Sequence, residues 1–382
     1  MKKNLVHVKV INSLIFSTFA ILLPYLPLLL LERKFQPDQV GSLLMIGPFF
    51  AIMVQPIVGY ISDRFHSLKF VLIILWFLTG MSAAGLFMID NKSASLLFVI
   101  TLFMFFLSAI PLIETLSVQT AEQNHVPYSS IRLWGSLGFC VVSILLGLYF
   151  HALGGLQALL IIYIPIWMAA CILLFMLKRT TLGGIHQEKL NMKDVACLVK
   201  DKKVAVFLFF VLFLAVPHRM NDALFSLYYK ELGAADNLIS WAWAVVGCSE
   251  IVGFYFSARF IQKVSSLKLI TTACFLYLVR WIGYVFISDP SWILILQILQ
   301  AGTYSLFWVA AVNYMASAAP KRLGASSQAL LAMIFLGVSG LIGGSVGGTI
   351  LQIHGGSAMY TFAVCLTVVA LLGFISIREV RS

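Results

Sequence analysis

Residues 10–31 read VINSLIFSTFAILLPYLPLLLL, a stretch of 22 residues without a charged side chain. An α-helix rises about 1.5 Å per residue, and the hydrocarbon core of a bilayer is about 30 Å thick. About 20 apolar residues are therefore enough to cross it. The stretch predicts a helix that spans a membrane, and comparable apolar stretches recur along the whole chain.

The composition extends this prediction from one helix to the whole fold. Of the 382 residues, 61% are hydrophobic and only 11% are charged, whereas soluble domains contain about 45–50% apolar and about 25% charged residues. The mean hydropathy is +0.98. A chain with so few charged residues cannot form a water-soluble surface. We therefore predict an all-α membrane protein with almost no domain outside the bilayer.

The apolar stretches predict about twelve transmembrane helices, since a span and its connection take roughly 32 residues. The predicted spans are 10–31, 40–61, 69–89, 94–120, 131–150, 157–177, 204–228, 237–258, 268–288, 291–316, 325–350 and 356–377. One connection, residues 178–203, is longer than the others and rich in Lys and Arg. We predict that this basic cytoplasmic linker joins an N-terminal six-helix bundle (1–177) to a C-terminal one (204–382).

The distribution of Lys and Arg predicts the orientation, because these residues collect in cytoplasmic loops. With a cytoplasmic N-terminus, twenty of the 26 fall in cytoplasmic segments and four in external loops. We therefore predict that both termini are cytoplasmic. The net charge of +11 then reflects membrane topology rather than nucleic-acid binding. The six cysteines form no CxxC motif and no Cys/His cluster, so we expect no metal and no cofactor.

The connection between the second and third predicted spans reads GYISDRFHSLK over residues 59–69. It resembles the signature of the major facilitator superfamily between its helices 2 and 3. The resemblance implies two pseudo-symmetric six-helix bundles, and a conformational-switch motif made of Gly59, Asp63, Arg64 and Lys69. The alternative for these residues is an ordinary cytoplasmic turn with a capping aspartate.

Five charged residues lie inside the predicted spans and away from the loop ends, where charge is costly and usually functional. They are Glu114, Arg219, Asp222, Glu250 and Arg280, and Arg132 lies about one turn inside the fifth span.

Two of these charges belong to a pattern on the fourth and fifth spans. Pro111-x-x-Glu114 precedes Arg132-x-x-Gly135, with eighteen residues from Glu to Arg. The arrangement resembles the lactose permease, phenylpropionate permease-like and nucleoside symporter branch of the superfamily. This resemblance implies that Glu114 and Arg132 bind the substrate, with Phe139 in the place of a stacking tryptophan. The alternative is a structural salt bridge.

The other charges lie in the C-terminal half. His218 and Asp222 share one helix face at i, i+4, and Arg219 lies one turn from Asp222. With Glu250 and Arg280 they form the predicted proton-coupling group. Of the two acids we favour Glu250 as the proton carrier, because its own helix has no cation within one turn of it. An inert charge network is the alternative.

The tenth predicted span carries a polar and aromatic stripe that includes Gln300, Tyr304 and Trp308. Polar groups spaced every three or four residues on an apolar helix are typical of a solvated cavity. We predict that these three residues bind the substrate.

These features predict a secondary active transporter of a small polar organic solute (a sugar, a nucleoside or an aromatic acid). We expect alternating access, proton-coupled uptake, and a monomer in the inner (plasma) membrane whose partners are the solute, protons and lipid. A proton-driven exporter of drugs or metabolites and a membrane sensor are the alternatives. HExxH, GxGD and GxxxxGK[ST] are all missing from the sequence, so neither an enzyme nor an ATP-driven pump is expected.

Overall fold

The structure, a computed structural model, describes residues 2–64, 68–126, 128–177, 201–261, 263–318 and 324–377, and over these it is helical. The helices of the first half are α1 (Lys2–Glu32), α2 (Pro37–Arg64), α3 (Leu68–Met88), α4 (Lys92–Gln123), α5 (Ser129–Leu153) and α6 (Leu159–Met176). Those of the second half are α7 (Lys202–Glu231), α8 (Asp236–Phe260), α9 (Ser266–Phe286), α10 (Pro290–Leu296), α11 (Tyr304–Ala318), α12 (Gly324–Ala332) and α13 (Ser339–Ser376). The predicted linker lies outside the described residues, apart from 201–203.

Eleven helical segments in the described part of the chain are long and apolar enough to cross a membrane. Large apolar side chains on their surfaces are exposed, such as Phe286 at 79%, Met88 at 73% and Ile161 at 71%. Because such surfaces are stable only against an apolar solvent, this exposure fits helices that face lipid. The all-α membrane class is therefore confirmed.

Short side chains define several of the helix starts. Asn91 accepts a hydrogen bond from the backbone N–H of Ala94 at the start of α4, and Asp201 and Asp289 do the same at the starts of α7 and α10. Such caps satisfy backbone donors that have no partner within the helix.

The described chain divides into two compact units. Of the described residues, the first unit comprises those up to 36, those from 43 to 177 and 235–244, and the second comprises 37–42, 201–234 and those from 245 to 377. In the first unit α1 packs on α5, α3 packs on α4 and both α1 and α3 contact α6. In the second unit α13 packs along α7 and α9, and α9 packs on α11.

A pair of tryptophans joins α3 to α6 in the first unit. Trp167 Nε1 donates to the carbonyl of Trp76 at 2.8 Å, and Trp76 Nε1 donates to the carbonyl of Trp167 at 3.4 Å. The Trp167 ring fits there because residue 80 is glycine: a Cβ on Gly80 would lie 1.9 Å from Trp167 Cε2. A small residue thus permits close helix approach, as is common in membranes.

The long segment 330–376 contains a break at Gly355. This residue has φ 79° and ψ 176°, backbone angles that essentially only glycine adopts. The Glu231 side chain, at the end of α7, accepts a hydrogen bond from the N–H of Gly356 at 3.0 Å. The 47 residues would measure about 70 Å as a straight helix, more than twice the hydrocarbon thickness.

Two other helices of the second unit change their hydrogen-bond pattern near the polar side chains. A 3₁₀ segment, Gln297–Ala301, separates α10 from α11, and a π-helical segment, Met333–Val338, separates α12 from α13. Such segments inside helices are frequent at functional sites and hinges.

Candidate functional site

Glu114 on α4 and Arg132 on α5 form an ion pair in the first unit. Arg132 Nε lies 3.0 Å from Glu114 Oε1, and the two side chains are 34% and 29% exposed, in that order. The structure therefore brings together the two residues that the sequence pattern pairs. Because both side chains are partly exposed, a solute could reach them.

A tyrosine that sequence reasoning did not include completes this pair. The hydroxyl of Tyr128 donates a hydrogen bond to Glu114 Oε2. Burial, followed by the adjacent Glu114 carboxylate, raises the pKa of Tyr128 above its usual range, so the phenol stays a protonated donor. The signal for this residue was its position four residues before Arg132, which places both on one helical face.

The aromatic ring of Phe16 on α1 contacts the guanidinium of Arg132. The guanidinium carbon of Arg132 lies 4.1 Å from the centre of the Phe16 ring, which is a cation–π contact. A Cβ on Gly135 would lie 2.7 Å from the Phe16 ring and 2.8 Å from Arg132 Nη1. Glycine at this position therefore leaves the space that the contact needs. We call Glu114, Tyr128, Arg132 and Phe16 the N-terminal cluster.

Phe139 lies seven residues beyond Arg132, about 10 Å further along α5. Its ring centre is 6.4 Å from that of Phe19, which in turn stacks on Phe106 at 5.1 Å. Phe139 is half-buried. It therefore belongs to an aromatic patch of the first unit two turns away from the ion pair.

Arg280 on α9 is the centre of a polar cluster in the second unit. Its side chain is fully buried. Nη1 donates to Gln300 Oε1, Nη2 donates to Gln297 Oε1, and Nε donates to the hydroxyl of Tyr284 at 3.0 Å. Each nitrogen of the buried guanidinium therefore donates one hydrogen bond, and all three acceptors are uncharged.

Gln300 connects Arg280 to the carboxylate of Glu250 on α8. Gln300 Nε2 donates to Glu250 Oε1 at 2.8 Å, while its Oε1 accepts from Arg280. The amide thus bridges an acid and a base that sequence reasoning placed beside each other. We call Glu250, Gln297, Gln300, Arg280 and Tyr284 the C-terminal cluster.

The 3₁₀ segment explains why two glutamines reach one guanidinium. Residues three apart are eclipsed in a 3₁₀ helix, so the side chains of Gln297 and Gln300 lie directly above one another. The same segment packs on α8, where Ser249 Oγ donates to the carbonyl of Gln297 at 3.4 Å.

Asp222 on α7 is paired within its own helix. Arg219 Nη1 donates to Asp222 Oδ2 at 2.7 Å, and His218 Nε2 lies 3.6 Å from the same oxygen. The other ring nitrogen of His218 lies 3.1 Å from the hydroxyl of Tyr277 on α9. The structure therefore brings His218, Arg219 and Asp222 together as the spacing predicted.

An aromatic wall adjoins this group. The His218 ring stacks on Tyr304 at 4.9 Å and 6°, and Tyr304 stacks on Trp308 at 6.2 Å. Phe335, in the π-helical segment, contacts the rings of His218, Tyr304 and Trp308. Sequence reasoning missed Phe335, because nothing in the letters distinguishes it from the many lipid-facing phenylalanines.

Of the predicted switch motif, only the Lys69 side chain can be described. Lys69 Nζ donates to the carbonyl of Phe175 at 2.7 Å and to that of Leu177, at the end of α6. A cation at these carbonyls stabilises the helix end. Gly59 lies within α2, and the side chains of Asp63 and Arg64 lie outside the described residues.

Among the described residues, no group of His, Cys, Asp and Glu could hold a metal ion. The letters GxSxG occur once, at Gly343-Gly-Ser345-Val-Gly347, but within the continuous helix α13. A nucleophile elbow requires a turn between a strand and a helix.

A family model and two transporters of known sequence match this chain. The model of the MFS_1 like family matches residues 5–364. A maltose permease of Geobacillus stearothermophilus is 25% identical over 366 residues, which cover 94% of this chain and 91% of the permease. A probable 3-phenylpropionic acid transporter of Escherichia coli (strain K12) is 22% identical over 307 residues, which cover 79% of each.

Among solved structures, the crystal structure of the nucleoside transporter NupG aligns with a TM-score of 0.86. The alignment covers 98% of this chain and 98% of that chain, at 15% identity. At so low an identity the likeness concerns the fold alone.

Proposed function

This chain belongs to the MFS_1 like family and is a multi-pass membrane transporter, and from this premise we propose that it carries a small polar organic solute by proton-coupled uptake. The solute classes that its relatives' names suggest are sugars and aromatic acids. A nucleoside is the third class that the sequence pattern suggests.

The observation that carries the proposal is the pairing of charges within the spans. Glu114 meets Arg132, Asp222 meets Arg219, and Glu250 meets Arg280 through Gln300. A charged residue within a span is costly, and such residues typically mark substrate and proton pathways.

In the proposed cycle, Glu114 and Arg132 hold polar groups of the solute, and Tyr128 fixes the carboxylate. Glu250 takes a proton from the outside and releases it inside, while Arg280 and Gln300 hold its position. The two bundles rock about the solute, so that it is exposed to one side at a time.

The proposal includes twelve spans, with residues 330–376 forming two of them around Gly355. It places both termini and the linker 178–203 in the cytoplasm, and a monomer in the inner (plasma) membrane. Tags at either terminus and at Gly183-Gly184 should be protected from protease in spheroplasts and cleaved in inverted vesicles. A terminal tag that is cleaved in spheroplasts would contradict this orientation.

A counterflow assay tests the transport function directly. Proteoliposomes loaded with an excess of one unlabelled solute should take up the same labelled solute transiently, for at least one member of a panel of sugars, nucleosides and aromatic acids. Arg132→Lys should lose this exchange, because lysine cannot form the two-point contact of a guanidinium. Absence of exchange for the whole panel would refute the proposal, and active extrusion from cells would identify an exporter.

A further inference from the structure

The π-helical segment Met333–Val338 changes the partner of one backbone N–H group. In a π-helix the N–H of a residue donates to the carbonyl five residues earlier, rather than four. The N–H of Ser339 follows this pattern, since it donates to the carbonyl of Ile334. In an α-helix the same N–H would donate to the carbonyl of Phe335. The π-helical turn therefore deprives the Phe335 carbonyl of its usual donor.

The side chain of Ser339 supplies a replacement donor. Its hydroxyl donates a hydrogen bond to the carbonyl of Phe335. Ser339 is fully buried and Phe335 is 1% exposed. A buried carbonyl that loses its partner is costly, and the hydrocarbon of a bilayer offers no water in its place. The hydroxyl therefore stabilises the π-helical turn relative to an α-helical one, in which the backbone N–H would make this bond.

The chain on one side of the turn is held in place, because α13 packs tightly on α7. A Cβ on Gly343 would lie 2.6 Å from the carbonyl oxygen of Val216, and one on Gly347 would lie 2.3 Å from Cγ of Met220. Contacts this close oppose any rotation of α13 about its axis. A change from π-helical to α-helical geometry must therefore rotate the residues before the turn. The rotation is about 100°, the angle between successive residues of an α-helix.

The side chain that the turn directs is that of Phe335. Its ring centre lies 5.4 Å from that of His218, 6.0 Å from that of Tyr304 and 5.3 Å from that of Trp308. Tyr304 and Trp308 are partly exposed, whereas Phe335 is buried. A rotation of about 100° at Phe335 would take its ring away from all three neighbours. The aromatic wall formed by these four rings would then lose its buried support.

We infer that Ser339 is a positioning residue for solute binding in the second unit: its hydroxyl holds the π-helical turn, and the turn holds Phe335 against the aromatic wall. This inference rests on the proposed transport function and on the prediction that Tyr304 and Trp308 bind the solute. Ser339 acts through Phe335 and touches no solute. Stacking depends on the angle and offset of the rings, so the turn sets the solute affinity by fixing the rings of the wall.

The first test observes the Phe335 ring from its neighbour Trp308 and needs no solute. The full chain is produced with 5-fluorotryptophan and studied by fluorine NMR in micelles, where the Trp308 resonance is identified by its loss in Trp308→Phe. Phe335→Leu gives the position of this resonance without the neighbouring ring. We expect Ser339→Ala to move the resonance most of the way to that position. A resonance that stays at the wild-type position would overturn the inference.

Ser82→Ala is the matched control. The hydroxyl of Ser82 on α3 also donates to the carbonyl four residues earlier, that of Leu78, at 2.9 Å, and Ser82 is buried as well. It lies in a regular α-helix, so the Leu78 carbonyl keeps its backbone donor when the hydroxyl is removed. Ser82→Ala should therefore leave the Trp308 resonance and the unfolding midpoint in mixed micelles unchanged. Equal effects of Ser82→Ala and Ser339→Ala would contradict a special role of Ser339.

The second test removes the need for the hydroxyl by deleting Leu336, a 40% exposed residue of the turn. After the deletion Ile334 is the fourth residue before Ser339, and Gly340 is the fourth after Phe335, so both backbone bonds become α-helical. Ser339→Ala should then lower the unfolding midpoint in mixed micelles far less than it does in the undeleted chain. An equal loss in both backgrounds would refute the role of the hydroxyl. If the deleted chain does not fold, the fluorine resonance decides on its own.

The third test measures counterflow of maltose, uridine and 3-phenylpropionate in proteoliposomes. For a solute that the wild type exchanges, Ser339→Ala and Phe335→Leu should each raise the half-saturation concentration about two- to tenfold, the equivalent of one aromatic contact, at a nearly unchanged maximal rate. The double variant should bind no more weakly than either single variant, because both changes act through one ring.

Two results of the counterflow test would refute the positioning role. One is a lower maximal rate at an unchanged half-saturation concentration, and the other is additive losses in the double variant. If the wild type exchanges no solute, the transport function is rejected together with the solute-binding half of the inference. The fluorine result would still decide whether Ser339 holds the turn, so the two failures are distinguishable.

Discussion

Replacement of Gln300 by leucine removes the amide that joins Arg280 to Glu250. Two hydrogen bonds disappear, one from Arg280 Nη1 and one to Glu250 Oε1. Hydrogen bonds between membrane helices contribute about 0.6–1.7 kcal/mol each. A buried group that loses its partner costs about 1–3 kcal/mol, and more when it is charged. The expected loss of stability is about 2–5 kcal/mol.

Gln297→Leu is the matched control for this change. It has the same chemistry on the same 3₁₀ segment, but it removes only the bond from Arg280 Nη2. Gln297→Leu should therefore lose about half as much stability and should keep the wild-type pH profile of solute binding. Gln300→Leu should lose more stability and should also change the pH profile, because Glu250 no longer has the bridge to Arg280.

Equilibrium unfolding in mixed detergent micelles measures the stability, and solute binding between pH 5 and pH 9 measures the coupling. Counterflow at one pH shows whether each variant still exchanges solute. Equal effects of the two variants on the pH profile would refute the bridging role of Gln300. A Gln300→Leu protein with wild-type stability and pH dependence would show that the amide contact has no energetic importance.

Three further changes test individual contacts. Tyr128→Phe removes the hydrogen bond to Glu114 and should weaken solute binding severalfold. The pKa of the Tyr128 phenol is raised above its usual range, so solute binding by the wild type and by the variant should show the same pH dependence up to about pH 9. Gly80→Ala should cost about 1–3 kcal/mol in micelle unfolding, since the Trp167 ring must move, and an unchanged stability would contradict the packing. Gly355→Ala should cost about 1–3 kcal/mol, because alanine is strained at φ 79°, and the loss should exceed that of Ala→Gly changes on exposed helix surfaces.

The helices were largely predictable from hydropathy alone. The span predicted at 69–89 is the helix Leu68–Met88, and that predicted at 268–288 is Ser266–Phe286. Apolar length determines such spans, because the bilayer leaves few other options for the backbone. The 3₁₀ segment Gln297–Ala301 and the π-helical segment Met333–Val338 were not predicted. In both segments the backbone hydrogen bonds reach one residue less or one residue further than in an α-helix. This change leaves the hydropathy of the sequence unaltered, so hydropathy cannot predict these segments.

The candidate site was predictable where charge makes a residue conspicuous. The spacing between Glu114 and Arg132 indicated a pair, and the structure places them 3.0 Å apart. Phe16 could not be found in this way, because its contact with Arg132 depends on how α1 packs against α5. One direct neighbour of the Glu250 carboxylate is an amide, Gln300, and only the three-dimensional arrangement identifies this amide as the link to Arg280.

The proton-coupling role of Glu250 is the central claim, and one comparison tests it most directly. Wild-type proteoliposomes and Glu250→Gln proteoliposomes are assayed in parallel for counterflow and for accumulation driven by a pH gradient. Exchange needs no net proton movement, so the variant should retain counterflow while losing all accumulation. Accumulation by the variant at the wild-type level, with intact counterflow, would contradict the claim.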